Sequence, residues 1–208
     1  MLTASVTMED KTMAGNHQTA YPDVSRPIVI IVGGFGSGKT EVSVNLAKYL
    51  ASDRERAVTI ADFDLVNPYF RTREAVREME AMGIRVIVPP GGQFFADLPI
   101  LLPEIKGAIE RREGTLILDA GGDAQGSRAL GSLSEFFEDD QYDMWMVLNS
   151  RRPQTSDSAG SLATMKRIEA VAHLDFTGLI ANSHMTDETD REVVVEGYHL
   201  AREISRQT

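Results

Sequence analysis

The chain has 208 residues, enough for one α/β domain and few for two independent ones. Hydrophobic residues make up 42% and charged residues 25%, ordinary globular proportions that exclude fibrous and wholly disordered classes. The 21 Lys and Arg residues are outnumbered by 31 Asp and Glu residues, and the resulting net charge of −10 argues against DNA as a partner.

Cysteine and long apolar segments are both missing from the sequence. Without cysteine, this chain forms no disulfide, thiolate metal site, cysteine-ligated iron–sulfur cluster or cysteine nucleophile. No apolar run approaches the roughly 20 residues of a membrane helix, and residues 1–21 carry charged and polar side chains where a signal peptide has an apolar centre. We therefore expect a cytoplasmic protein with no membrane partner.

Hydrophobic patterning predicts strands that alternate with helices. Residues 1–26 show neither period and are predicted to be an N-terminal tail or extension, which leaves residues 27–208 as the domain. The predicted strands are 28–32, 57–61, 84–88, 115–118, 144–148 and 176–181. The predicted helices run through 42–50, 72–82, 101–109, 130–137, 158–172 and 194–201. This alternation predicts a three-layer α/β sandwich with a mostly parallel sheet.

A glycine-rich motif joins the first predicted strand to the first predicted helix. Residues 33–40, GGFGSGKT, fit the phosphate-loop (P-loop) pattern G-x-x-x-x-G-K-S/T in its expected strand-to-helix context. Glycines let backbone N–H groups converge on a phosphate, Lys39 reaches the β- and γ-phosphates, and the Thr40 hydroxyl ligates Mg²⁺. The predicted nucleotide-binding residues are Gly33, Gly34, Phe35, Gly36, Ser37, Gly38, Lys39 and Thr40. The sequence thus predicts a P-loop NTPase.

Acidic residues end two of the predicted strands. The apolar strand through Leu118 ends in Asp119, the form of a Walker B segment, whose aspartate holds Mg²⁺ directly or through water. Asp62 and Asp64 follow another strand, and the period of two residues puts both on one side of the strand end. We expect these acids to share a magnesium shell or an attacking water.

Three segments resemble the MinD/ParA/Mrp branch of P-loop ATPases, a SIMIBI-class group that includes the nitrogenase iron protein. IADFDLVN, residues 60–67, resembles the acidic motif on strand two of MinD- and ParA-type proteins. DAGGD, residues 119–123, resembles the switch II segment of the iron protein, and GLIANSHMTD, residues 178–187, resembles its adenine-binding strand end. Together with the P-loop, these matches span most of residues 28–190.

The resemblance implies a role for each acidic residue. It implies that Asp64 lies near Mg²⁺ and the attacking water with support from Asp62, that Asp119 anchors the magnesium shell, and that Asp123 transmits the state of the γ-phosphate. Lys39, Asp64 and Asp123 are then the candidate catalytic residues, and Thr40, Asp62 and Asp119 the candidate Mg²⁺ ligands. A protein partner and a homodimer are also implied.

The same resemblance implies that Asn182 hydrogen-bonds adenine. An amide suits adenine because it offers both a donor and an acceptor. Guanine-specific enzymes show an acid-bearing N-K-x-D-like element, which the segment after Asn182 lacks. We therefore expect ATP rather than GTP.

The sequence departs from this group at two positions. The group's signature lysine, which reaches a partner's nucleotide, would fall at Gly34, so dimer-driven hydrolysis through that residue is not expected. The cluster cysteine of the iron protein would fall at Gly126, which excludes electron transfer through a bridging cluster.

Two alternatives and one weaker feature stay open at the level of sequence. Many small-molecule phosphotransferases share the same loop, and a nonhydrolysing ATP-binding module would need no catalytic acid. Arg151 and Arg152 follow a strand, at the edge where open α/β sheets bind ligands, but a solvated loop is the favoured explanation and a second anionic ligand the alternative. Neither the partner nor the process served is encoded in any motif.

Overall fold

The computed structural model describes residues 4–7, 22–53, 55–64, 73–88 and 94–208. Its seven strands are β1 Ala4–Thr7, β2 Ile28–Gly33, β3 Val58–Phe63, β4 Ile84–Ile87, β5 Thr115–Gly121, β6 Tyr142–Leu148 and β7 Gly178–Ala181. Its six α-helices are α1 Lys39–Ala51, α2 Arg73–Ala81, α3 Phe94–Arg111, α4 Ala124–Gly131, α5 Ser158–Ala172 and α6 Arg191–Ser205. None of the helices in these ranges is long and apolar enough to cross a bilayer.

All seven strands form one sheet, in the order β1-β7-β6-β2-β5-β3-β4. Strands β2 to β7 run parallel, and β1 pairs antiparallel with β7. The predicted mostly parallel sheet is confirmed. Residues 4–7 of the predicted N-terminal extension lie in this sheet as its edge strand, and the division of the chain at residue 26 stays a prediction.

The sheet is buried on both faces because strand β2 is apolar at every position but its last. Ile28, Ile30 and Val32 face a core that includes residues of α3, α4, α5 and α6. Val29 and Ile31 face a second core that includes residues of α1 and α2. Helices therefore cover both faces, as the alternating pattern predicted, and β2 ends at the P-loop between β5 and β6.

Two strands extend beyond their predicted ends, and one predicted helix is misplaced. Strand β5 continues through Asp119 to Gly121, and β3 continues through Asp62, because their backbones pair with each other up to that edge. The helix expected around residues 130–137 instead begins at Ala124 and ends at Gly131. It begins there because the carboxylate of Asp123 accepts hydrogen bonds from the backbone N–H groups of Gln125 and Gly126.

Candidate functional site at the phosphate loop

The P-loop adopts a tight turn that only glycine accommodates easily at two positions. Gly36 has φ 73° and Gly38 has φ 84°, both in the left-handed region. The Ser37 N–H donates to Gly34 O at 3.0 Å, and the Val42 N–H donates to Gly38 O at 3.0 Å as α1 begins. Because α1 starts at the end of the loop, its N-terminal amides and dipole favour an anion at this point.

Three side chains hold the outer side of the loop by its carbonyl groups. Gly36 O accepts hydrogen bonds from Asn149 Nδ2 at 3.1 Å and from Arg152 Nε at 3.0 Å. Ser37 O accepts one from Asn182 Nδ2 at 2.9 Å. We call Asn149, Arg152 and Asn182 the carbonyl clamp. The clamp connects the loop to the ends of strands β6 and β7.

Lys39 forms an ion pair with Asp64. Its Nζ lies 2.5 Å from Asp64 Oδ2, and the two side chains are only 10% and 5% exposed. The backbone N–H of Asp64 donates to Asp62 Oδ1 at 3.3 Å, so both predicted acids of this strand end are buried beside the loop. Lys39 is thus already held by a carboxylate at the position where its charge would meet a phosphate.

Asp119 is fully buried, and neither of its carboxylate oxygens has a hydrogen-bond partner among the described residues. Burial raises its pKa to about 6, because removal from water disfavours the charged form. The charge of Lys39 and the nearby hydroxyls of Thr40 and Ser43 oppose that rise. The Ser43 hydroxyl donates to Lys39 O at 2.9 Å, and we find no hydrogen bond of acceptable geometry from either hydroxyl to Asp119.

These residues fit a magnesium ion. Neither buried oxygen of Asp119 has a donor within the described ranges, so this carboxylate is suited to hold a cation directly or through a bound water. Asp119 also pairs in register with Asp62 on the adjacent strand. No group of three or more His, Asp or Glu residues forms a ready-made metal cage in the described ranges. Magnesium in nucleotide sites needs no such cage, because phosphates and water supply most of its ligands.

Asp123 lies at the edge of this cluster. One of its oxygens accepts the two N–H groups that begin α4, at 2.7 and 2.9 Å. Its other oxygen, Oδ2, and Asp64 Oδ1 both lie beside Gly121. A Cβ added to Gly121 would be 3.4 Å from each of these two oxygens. The structure therefore brings Lys39, Asp64, Asp119 and Asp123 together, and their catalytic and metal-binding roles stay predictions.

The remaining predicted residues differ in their surroundings. Asn182 lies against the loop, and one N–H of its side-chain amide donates to Ser37 O, so its second N–H and its carbonyl oxygen are left for a base. The Phe35 side chain is 83% exposed at the loop's tip. Residues 65–72, which include the end of the IADFDLVN segment, lie outside the described residues.

Sequence reasoning missed two members of the carbonyl clamp. No sequence pattern identified Asn149. In the structure its side chain is fully buried and lies between the loop and the end of β7. Arg152 was expected in a solvated loop, but it is half-buried against Gly36, whereas Arg151 is exposed and pairs with Glu196. Their position just after the strand beside β2 is the only signal in the sequence.

Comparisons with known proteins support the fold. No family model matches the chain, and no curated protein matches its sequence. Among solved structures, it is similar to the signal recognition particle receptor FtsY from Elizabethkingia anophelis in complex with GDP, with a TM-score of 0.53 and 20% identity over 94% of this chain. This chain corresponds to 57% of the length of that FtsY chain.

Two kinase domains also share the fold. The VpsO kinase domain has a TM-score of 0.53 and 15% identity, covering 77% of this chain and 86% of that domain. The BceF tyrosine kinase domain has a TM-score of 0.50 and 17% identity, covering 74% of this chain and 67% of that domain. At such identities the likeness concerns the fold alone.

The sheet order, the loop and these similarities define the class. The chain has the α/β fold of P-loop NTPases, with the phosphate loop at the end of its central strand β2. The structures similar to this chain include FtsY, the VpsO kinase domain and the BceF tyrosine kinase domain, and membership of the MinD/ParA/Mrp branch stays a prediction.

Proposed function

We propose that the protein is a Mg-ATP-binding P-loop ATPase of the MinD/ParA/Mrp type that acts as a nucleotide-dependent switch. The observation that carries this proposal is Asp119, a buried carboxylate that accepts no hydrogen bond from the part of the chain that the structure describes, beside Lys39 and Thr40. A buried charge of this kind costs stability unless a cation or donor compensates it. A magnesium ion carried by a nucleotide supplies that compensation.

Each residue of the site has a defined task in this proposal. Lys39 leaves Asp64 and neutralises the β- and γ-phosphate oxygens, and Asp64, so released, orients a water for attack on the γ-phosphorus. Thr40, Asp62 and Asp119 would hold Mg²⁺, which would supply neutralisation of phosphate charge when bound. Asp123 couples the departure of phosphate to the start of α4, which it caps.

The proposed nucleotide is ATP. Asn182 is followed by Ser183, His184 and Met185, without the acid that reads guanine in N-K-x-D-like elements. The FtsY structure contains GDP, so GTP is the alternative that must be tested directly. The two kinase domains share only the fold with this chain, and they do not favour phosphotransfer to a small molecule over hydrolysis.

Hydrolysis is expected to be slow without a protein partner. Glycine at position 34 provides no lysine for a partner's nucleotide, so a homodimer, if formed, would not act through that contact. We expect the segments 64–73 and 119–128 to change conformation between nucleotide states and to present the switch to the partner.

Substitution Lys39→Ala tests the proposed function. We expect wild-type protein to bind Mg-ATP more tightly than Mg-GTP, and Lys39→Ala to lower Mg-ATP affinity by about 10- to 100-fold, because it removes a charge-assisted contact to the phosphates. Isothermal titration calorimetry measures both affinities. Lys48→Ala, on the exposed part of the same helix, is the matched control. Equal Mg-ATP affinity of the wild type and Lys39→Ala would contradict the proposal.

Substitution Asp64→Asn separates two tasks of that carboxylate. Nucleotide phosphates must compete with Asp64 for Lys39, so we expect Asp64→Asn to bind Mg-ATP about three- to tenfold more tightly and to hydrolyse it more slowly. Calorimetry and phosphate release measure these opposite changes. Glu78→Gln, which breaks the exposed Lys48–Glu78 pair, should change neither. Weaker binding by Asp64→Asn would show that Asp64 contributes to affinity instead of competing with it.

A further inference from the structure

The peptide groups of the phosphate loop are oriented by three side chains from outside the loop, and two of them, Asn149 and Arg152, belong to no recognised motif. The carbonyl clamp contributes three hydrogen bonds of 2.9–3.1 Å to Gly36 O and Ser37 O. In a planar trans peptide, the carbonyl and the N–H of the next residue point in opposite directions. A bond that fixes Ser37 O therefore also fixes the Gly38 N–H, which points away from the clamp.

The clamp residues are themselves held in place. Asn149 has no exposed surface, and its Oδ1 accepts the backbone N–H groups of Arg151 at 3.0 Å and His184 at 3.3 Å. Asn182 is 6% exposed and lies at the end of β7. Because Asn149 Oδ1 accepts backbone N–H groups at the strand end, its Nδ2 faces the loop, where it donates to Gly36 O at 3.1 Å and also lies 3.3 Å from His184 O.

The loop glycines are matched to the clamp. A Cβ on Gly36 would lie 2.7 Å from the guanidinium carbon of Arg152, and a Cβ on Gly38 would lie 2.3 Å from Asn182 Nδ2. Real Cβ atoms do not approach other heavy atoms so closely. Glycine at positions 36 and 38 thus allows the side chains of Arg152 and Asn182 to approach the backbone closely, and it also allows the positive φ angles.

We propose that Asn149, Arg152 and Asn182 are positioning residues that preorganise the loop for the polyphosphate of the nucleotide. Asn182 fixes the Gly38 N–H, whereas Asn149 and Arg152 fix the Gly36 carbonyl, whose peptide N–H, that of Ser37, closes the turn onto Gly34 O. This inference rests on the proposed function. The inference assigns one amide N–H of Asn182 to the loop. It also adds Asn149 and Arg152, which no motif contains, to the residues of the site. A positioning role affects every ligand with a polyphosphate, whereas a contact to the base affects only ligands with a base.

Two probes separate these roles: Mg-ATP, and Mg-tripolyphosphate, which has neither base nor ribose. We expect Arg152→Ala and Asn182→Ala each to lower the affinity for both probes by a similar factor of about 3 to 10, the worth of one hydrogen bond. Arg151→Ala removes the same charge from the neighbouring exposed residue and should leave both affinities unchanged. Because Asn182 is neutral, a matching loss in its variant cannot arise from altered net charge.

Hydrogen exchange tests the clamp without any ligand. Peptides that cover residues 33–40 should exchange faster in Arg152→Ala and Asn182→Ala than in wild type or Arg151→Ala, while exchange in strand β5, which carries no clamp residue, stays unchanged. Loss of Mg-ATP affinity alone in Asn182→Ala would overturn the positioning role of Asn182 in favour of a base contact. Unchanged loop exchange in both variants would overturn the clamp.

The outcome for the clamp is distinguishable from that for the proposed function. If wild-type protein binds neither probe, the proposed function fails, and the exchange experiment still decides whether the clamp orders the loop. If wild-type protein binds both probes and Lys39→Ala does not, but the clamp variants bind like wild type, the clamp is overturned and the proposed function stands.

Discussion

Asp119→Asn is expected to make the protein more resistant to unfolding while it removes most of the magnesium-dependent affinity for nucleotide. The carboxylate is fully buried and has no hydrogen-bond donor among the described residues. The gap between its ordinary pKa of 3.8 and its raised pKa of about 6 corresponds to about 3 kcal/mol. An amide of the same shape carries no charge to desolvate. It is also a much weaker ligand for Mg²⁺ than a carboxylate.

The stability gained by Asp119→Asn should depend on pH in a defined direction. The pKa of Asp119 is raised by folding, so the wild type is favoured when this group is protonated and loses that advantage as the pH rises through about 6. The difference in free energy of unfolding between Asp119→Asn and wild type should thus be largest above pH 7 and should shrink toward pH 4. Urea unfolding across this range, without nucleotide, measures it.

The control for this prediction is Asp139→Asn, which makes the same substitution at an exposed aspartate. It should alter neither stability nor Mg-ATP affinity measurably. A lower stability of Asp119→Asn at pH 7.5 would show that hydrogen bonds to the carboxylate outweigh its desolvation. Unchanged Mg²⁺ dependence of ATP binding would remove Asp119 from the magnesium site.

Gly126→Ala is expected to lower the free energy of unfolding by about 3 kcal/mol and to weaken nucleotide binding. A Cβ at this position would lie 2.2 Å from Gly121 O and 2.7 Å from the carbonyl carbon, both rigid backbone atoms of β5. Helix α4 would have to move away from the strand end. The neighbouring Gly122 N–H, which donates to Gly33 O at 3.1 Å, would move with it and disturb the base of the loop.

Gly107→Ala is the matched control because Gly107 also lies within a helix. Its Cβ would meet only the guanidinium end of Arg111, at 3.2 Å, which can swing aside. There we expect the ordinary gain of up to about 1 kcal/mol when alanine replaces glycine in a helix. Urea unfolding of both variants gives the comparison. Equal free energies of unfolding for Gly126→Ala and Gly107→Ala would mean that β5 and α4 separate more easily than the contact at Gly126 implies.

The close approach of Gly126 to Gly121 O also leaves no room at position 126 for the cluster cysteine of the iron protein.

The prediction of the fold rested on strong local signals. The continuous apolar run of β2 cannot face water on either side, so a sheet covered on both faces was determined by that segment and its repetition along the chain. Helix α5 begins and ends at its predicted residues, where the Asp157 side chain caps its start. Strand β1 was missed although apolar and polar side chains alternate through it, because a segment of four residues is too short to establish a period. Its pairing with β7 also depends on a distant partner.

Part of the candidate site was equally accessible to sequence reasoning. The loop motif fixes its own chemistry through residue types at fixed spacing, and acids that end parallel strands must meet at one edge of the sheet. Asp62, Asp64 and Asp119 therefore came together as predicted. The number of hydrogen bonds to Asp119 could not be predicted, because it depends on which hydroxyl and amide groups other elements bring near.

The sequence by itself determined the P-loop, its place between a buried strand and a helix, and the set of acids around it, since all of these follow from local periodicity and spacing. Only the tertiary structure decided that Lys39 pairs with Asp64. It also decided that an amide N–H of Asn182 donates to Ser37 O, and that Asn149 and Arg152 donate to Gly36 O. These contacts join residues more than 20 positions apart, mostly more than 100. Their partners are selected by strand order and packing, which no single segment of the chain specifies.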